Sequence, residues 1–178
     1  MGDRRDGRDH VRLGGLGLAY LKLGRLDDAR RTVDRAIQHW SATSTAFSLA
    51  YATTAAALIW LAEGDLDAAV ETARRAVAFA EQSRFRLEQG AAHRVLGQTL
   101  AATGNRGEAD AALRRSLEIL EDIRSLPELG QTLLAYGRFK ADEDPSGGRR
   151  LLERARAIFA EIGATGWLAE AVAALEAP

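Results

Sequence analysis

The stretch LGLAYLKLGRLDDARRTVDRAI, residues 16–37, decides the fold. Gly17, Ala29 and Ala36 are small where an ordinary amphipathic helix carries a large core residue. Gly24 interrupts what would otherwise read as one long helix. Stepping forward by 40 from each position finds the pattern again. Gly17 maps to Ala57, Gly97 and Gly137, and Gly24 to Gly64 and Gly104. Ala29 maps to Ala69 and Ala109, and Ala36 to Ala76 and Ser116. A fixed period of about 20 to 50 residues is the mark of stacked supersecondary units. The phrases LGRLDDA, EGDLDAA and TGNRGEA are three versions of one turn.

The chemistry of that turn follows from its residues. Gly24, Gly64 and Gly104 sit where a helix should stop, and glycine just past a helix end takes the left-handed conformation without a Cβ clash. Acidic residues come next: Asp27 and Asp28, Asp65 and Asp67, then Glu108. Negative charge in a first turn interacts favourably with the unpaired N–H groups there. Each unit is therefore helix, tight turn, helix. Glycine inside a helix costs about 1 kcal/mol against alanine. Close crossing of two helices is the compensation expected at Gly17 and Gly97.

Helices are expected near residues 9–23, 26–41, 44–63, 66–82, 85–103, 107–123, 126–141, 145–162 and 166–177. Residues 1–8 read as a disordered tail and 9–178 as one repeat domain, with units 9–43, 44–83, 84–124 and 125–163. Ser125 with Glu128 predicts a capping box. Thr43 or Ser44 is expected to cap the third helix. In the fourth unit Asp144 replaces the turn glycine, and DEDPSGG reads as a lengthened loop. No segment alternates with period 2, so the class is all-α.

A small residue, an aromatic three later, a turn glycine and two alanines in the second helix resemble the tetratricopeptide repeat (TPR). In the first unit Leu13, Leu16, Gly17, Tyr20, Gly24, Ala29, Val33 and Ala36 carry that resemblance. Ala56, Ala57, Trp60, Gly64, Ala69, Ala73 and Ala76 carry it in the second. Leu96, Gly97, Leu100, Gly104, Ala109, Leu113 and Ser116 do so in the third. The resemblance implies a right-handed superhelical solenoid of four hairpins plus a C-terminal helix, with first helices lining a concave groove. The long unit is also similar to helical-repeat segments of bacterial LuxR-type regulators and related signalling ATPases.

Composition narrows the partners. The 178 residues are 47% hydrophobic and 28% charged, ordinary for one folded domain or a short repeat array. A formal charge of −1 gives no overall field for nucleic acid or an anionic membrane. With no cysteine, disulfides and thiolate metal sites are excluded. The longest uncharged apolar run, Tyr51 to Ala62, is too short to span a bilayer, and MGDRRDGRDH lacks the apolar core of a secretory signal. A cytoplasmic location is expected.

No catalytic constellation emerges. His10, His39 and His93 lack metal-binding spacing, and His93 is expected to be a partly buried structural histidine. GGLGLAY has neither dinucleotide-binding nor phosphate-loop context. The arginine pairs 30–31, 74–75, 114–115 and 149–150 read as a solvated outer face rather than a nucleic-acid ridge. No cofactor and no metal are expected, and the chain is not expected to be an enzyme.

What is left is the groove implied by the TPR resemblance. Val11, Leu18, Lys22, Tyr51, Thr54, Leu58 and Leu61 would form an apolar wall; Arg94, Gln98, Ala101, Gln131, Leu134 and Arg138 would form a polar one. Arg94, Gln98 and Arg138 are candidates for the polar end, against the alternative that they are solvated or salt-bridged to Glu88 and Glu128. The expected function is a non-catalytic protein- or peptide-binding scaffold. The alternatives are a ligand-sensing segment of a multidomain bacterial regulator and a purely structural oligomerisation scaffold. Trp167, Leu168, Ala171, Val172 and Leu175 form an apolar stripe on the last helix, which is expected either to meet a continuing array in a longer protein or to pack on another copy, and self-association is predicted.

Overall fold

The computed structural model describes the backbone of residues 6–43 and 46–177, and the side chains of 13–38 and 46–177. Val11, His10 and His39 have side chains outside that set, as do both expected caps of the third helix, Thr43 and Ser44. The described residues form α1 (Asp6–Lys22), α2 (Leu26–Thr43), α3 (Ala46–Glu63), α4 (Leu66–Gln82) and α5 (Arg86–Ala102). They continue with α6 (Arg106–Asp122), α7 (Leu126–Lys140), α8 (Pro145–Glu161) and α9 (Thr165–Glu176), and contain no strand. α1 starts three residues before the expected position, inside the stretch read as a tail.

The turns work as their residues suggest. Gly24, Gly64 and Gly104 have φ of +70°, +83° and +79°. In each case the next N–H reaches back to the carbonyl five residues earlier: Arg25 to Tyr20 at 2.9 Å, Asp65 to Trp60 at 3.1 Å, Asn105 to Leu100 at 2.9 Å. That is the Schellman closure of a helix end. Arg124 adopts the same conformation with φ +53°, and Ser125 N–H closes on Leu120. A Cβ at Gly64 would meet no atom within 4 Å, so only backbone strain opposes a side chain there. Gly64→Ala is expected to lower stability by about 1 kcal/mol in urea unfolding. Arg124→Gly should act in the opposite direction by less than about 1 kcal/mol, since extra freedom of the unfolded chain offsets part of the relief.

One start differs from expectation and one agrees with it. Ser125 makes no side-chain cap, and the Glu128 carboxylate, which a capping box would turn to the Ser125 N–H, instead accepts from Arg94 at 2.7 Å while that N–H closes on Leu120. α8 begins at Pro145, as its expected range has it, and the part of DEDPSGG that follows Asp144 is its first turn rather than loop, capped by the Asp144 carboxylate, which accepts from Gly147 N–H at 2.9 Å.

Hairpin crossings explain the small residues. A Cβ at Gly17 would lie 2.5 Å from Val33 Cγ2; one at Gly97, 2.5 Å from Leu113 Cγ; one at Gly137, 2.7 Å from Leu152 Cγ. Ala57 fills the corresponding place against Ala73 and Val95. A second row of crossings lies nearer the other end of each hairpin: Gly90 under Leu120, and Gly130 under Phe159. Ser116, standing where other units have alanine, is buried and donates to the Gly90 carbonyl at 2.7 Å. Each first helix also packs on the next first helix, which sets α1, α3, α5, α7 and α9 side by side.

α3 is 18 residues long with mean hydropathy 1.3, long and apolar enough to cross a membrane by those criteria alone. Its apolar length is used in packing: Ala50, Ala52, Ala55, Ala56, Ala57 and Ile59 are buried. On α9, Ala171 is buried, and Trp167, Leu168 and Leu175 pack into the cluster around Phe159. The exposed large apolar side chains of the described residues are Leu16, Leu23, Phe85, Leu87 and Ile162, none of them on α9.

Candidate binding cavity

The helix-turn-helix unit repeats every 40 residues, so the same face of every first helix recurs in register. Leu18, Leu58, Gln98 and Arg138 form one column, and Tyr51, Ala91 and Gln131 a second. These columns meet on the concave side in a cavity of about 470 Å³, lined also by Leu21, Lys22, Thr54, Ala55, Glu88, Arg94, Glu128, Trp167 and Glu170. A smaller cavity of about 310 Å³ adjoins it, sharing Arg94, Gln98, Gln131, Arg138 and Trp167 and adding Ala101 and Leu134.

The structure thus brings together Leu18, Lys22, Tyr51, Thr54, Leu58, Arg94, Gln98, Gln131 and Arg138 around one concavity. Leu134 reaches the smaller one but is only 2% exposed, more core than wall. Leu61 is half-buried and lines neither cavity, and Val11 is outside the described side chains. Sequence reasoning gave Glu88 and Glu128, which too stand 40 apart, only as salt-bridge partners of the arginines and missed them as cavity wall. It also missed Trp167 and Glu170, which come from the terminal helix rather than from a repeat position.

Those last two residues change the shape of the groove. The Lys22 ammonium, at the end of α1, sits 3.7 Å above the centre of the Trp167 ring on α9. One long side chain therefore bridges the first and last helices across the open side. Arg138 adds a looser contact to the Glu170 carboxylate at 3.5 Å. A cation over an indole face contributes about 0.5 to 2 kcal/mol, depending on desolvation.

Charge inside the cavity is mostly engaged. Arg94 is 8% exposed and holds Glu128 at 2.7 Å, one of the two partners considered from sequence. Arg138 turns to Glu170 instead. Burial pushes the Glu88 carboxyl up from its ordinary value, its own backbone N–H counters in part, and repulsion from Glu128 adds to the rise. Burial likewise raises the Tyr51 phenol, helped by Glu128 and Glu88. Arg94 Nε and Gln98 Oε1 are buried without a hydrogen-bond partner. Unpaired buried polar atoms are costly, so such atoms on a cavity wall suit a polar guest or ordered water.

Outside the cavity the titratable groups have structural work. His93 is largely buried, which lowers its pKa despite Glu81 at 3.8 Å. Asp110 pins α6 to α7: burial pushes its carboxyl up, but hydrogen bonds from Lys140, Tyr136 and Arg114 outweigh that and hold it at about 2. Outer-face arginines meet carboxylates of adjacent hairpins, Arg30 with Glu63 at 2.5 Å and Arg74 with Glu108 at 2.7 Å. Arg30 also stacks 3.6 Å over Trp60. Among the described residues no three His, Asp or Glu side chains converge to hold a metal.

With this geometry in view, the solved structures it resembles are informative. A putative kinesin light chain from Podosopora anserina, with nearly identical TPR-like repeats, superposes with TM-score 0.64 at 20% identity, covering 91% of this chain and 84% of that one. A point variant of that same protein gives 0.66 at 18% identity, covering 98% and 89%. BtubC (BKLC) from P. vanneervenii gives 0.66 at 16%, covering 97% and 82%. The fold is a TPR-like helical-repeat solenoid. At these identities the likeness concerns the fold alone. No family model matches the chain, and no curated protein does.

Proposed function

We propose that the chain is a non-catalytic binding module that takes a short protein or peptide segment in its concave cavity, in the cytoplasm. One observation carries this reading. Four first helices and α9 turn their facing residues into a single cavity whose wall holds buried polar atoms without partners. Repeat solenoids use such concave surfaces for recognition. The apolar part, from Leu18, Leu21 and Leu58, would anchor a side chain, and Gln98, Gln131 and Arg94 would meet main-chain polar groups.

The test is selection of short peptides from a random display library, followed by calorimetry on the wild type and on Leu58→Glu. Placing a carboxylate on the apolar wall should weaken selected peptides by about tenfold or more. Far-ultraviolet circular dichroism should stay unchanged. Peptides that bind equally to the variant would place recognition elsewhere.

A second reading, an effector-sensing segment of a bacterial LuxR-type regulator or signalling ATPase, is favoured by the Lys22–Trp167 contact. That contact closes the groove into a volume suited to a small molecule. Ligand-dependent thermal shift with a metabolite panel separates it from the peptide reading. Self-association through α9 finds no exposed large apolar side chain on that helix to support it.

A further inference from the structure

The charges that line the cavity are not equally engaged. Its three cations all have partners: Arg94 with Glu128 at 2.7 Å, Arg138 with Glu170 at 3.5 Å, Lys22 over Trp167 at 3.7 Å. Among its three carboxylates, Glu88 has no cationic partner among the described residues. It is half-buried on α5, beside a second carboxylate, Glu128. At the α5 end of the cavity, where Glu88 and Arg94 stand, an anionic guest would have to take Arg94 from Glu128. That would leave two unpaired carboxylates side by side in a partly desolvated wall, and breaking a buried pair is strongly unfavourable. A cation at Glu88 leaves every existing pair in place and relieves the repulsion there.

The second observation lies further along α5. Arg94 is more than nine-tenths buried, and its Nε–H donor has no acceptor. Gln98 Oε1, one turn on, is a buried acceptor with no donor. A donor and an acceptor on adjacent turns of one helix match the C=O and N–H of a peptide backbone. Glu88 lies six residues before Arg94, about 9 Å along the axis. A long basic side chain leaving that backbone can cover the span.

Given a peptide in this cavity, as proposed above, we infer that the segment carries a lysine or arginine next to an apolar residue. The ammonium or guanidinium pairs with Glu88, backbone groups meet Arg94 Nε and Gln98 Oε1, and the apolar neighbour lies on Leu18 and Leu58. The unpaired carboxylate sets the charge preference, and the orphaned atoms set the register.

Three capped tripeptides, Leu-Lys-Leu, Leu-Gln-Leu and Leu-Glu-Leu, test this by calorimetry on the full chain at neutral pH and low salt. Leu-Lys-Leu should bind about tenfold or more tightly than Leu-Glu-Leu, with Leu-Gln-Leu between them. Glu88→Gln should erase that order. Its melting temperature should change little, because Gln keeps the side chain's shape and the carboxylate it replaces has no cationic partner to lose. Equal affinities, a preference for Leu-Glu-Leu, or a lysine preference that survives Glu88→Gln would overturn the inference while leaving peptide binding in the cavity intact. No binding by any of the three at about 1 mM would count against the peptide reading itself, and the inference would fall with it.

Discussion

Gly97→Ala is expected to destabilise the protein by about 2 kcal/mol, although it puts the best helix former in place of one of the worst. Alanine would return about 1 kcal/mol of helix propensity. The packing cost exceeds that gain. The new Cβ would lie 2.5 Å from Leu113 Cγ and 3.2 Å from the Ala109 carbonyl oxygen. Leu113 is 1% exposed and has nowhere to swing, and the carbonyl belongs to α6 itself, so α5 and α6 must separate. Gly97→Val adds two further carbons to the same contact and should cost about 4 kcal/mol or more. Gly107 is the control. It is also helical, but a Cβ there meets nothing within 4 Å, so Gly107→Ala should stabilise by about 0.5 to 1 kcal/mol. Urea unfolding of both variants checks the opposite signs. Leu113→Ala in the Gly97→Ala background supplies the coupling: the double variant should be less unstable than the two single costs added. Simple additivity would mean that Gly97 is not a crossing point.

That crossing was readable in advance because it is written in backbone-level constraints that recur every 40 residues. Turn glycines with positive φ and glycines at contact points depend on local sterics, so period alone finds them. The same period marks Gly90 with Gly130 and Glu88 with Glu128. The glycine column went unused and the glutamates served only as possible salt-bridge partners, because both lie outside the TPR signature positions. Other features had no local signal. Ser125 and Glu128 have the spacing of a capping box, but Arg94, 34 residues away, competes successfully for the carboxylate. Pro145 opens the helix expected over 145–162, and although Ser146-Gly147-Gly148 has loop composition, Gly148 lies where a Cβ would be 2.8 Å from the Gly137 carbonyl oxygen. Close approach of α8 to α7 demands the glycine and makes the segment helical. Closure of the cavity by Lys22 and Trp167 depends on curvature accumulated over four hairpins. Each hairpin contributes a small rotation, and no single residue encodes their sum.

Phe159→Ala should remove about 4 kcal/mol, within the range for emptying a buried aromatic site. Phe159 is fully buried, and its ring edge occupies the space that the missing Cβ of Gly130 leaves on α7. Its face stacks on Trp167 of α9, with centroids 6.0 Å apart and planes at 18°. One side chain thus joins three helices. In a solenoid each unit rests mainly on its neighbours, so the damage should be graded rather than global. Hydrogen exchange is expected to show lost protection in α8 and α9 and retained protection in α4 to α6. Losing α9 also removes Trp167 from beneath Lys22, so the cavity should open on that side. Peptides that need the closed cavity would then weaken in Phe159→Ala, though the substituted residue lines neither cavity. Phe159→Leu retains most of the volume and should cost about 1.5 kcal/mol, with exchange in α9 close to wild type. Equal loss of protection from α1 to α9 would show one cooperative block. In that case the cavity could not open at one end while the rest of the array held.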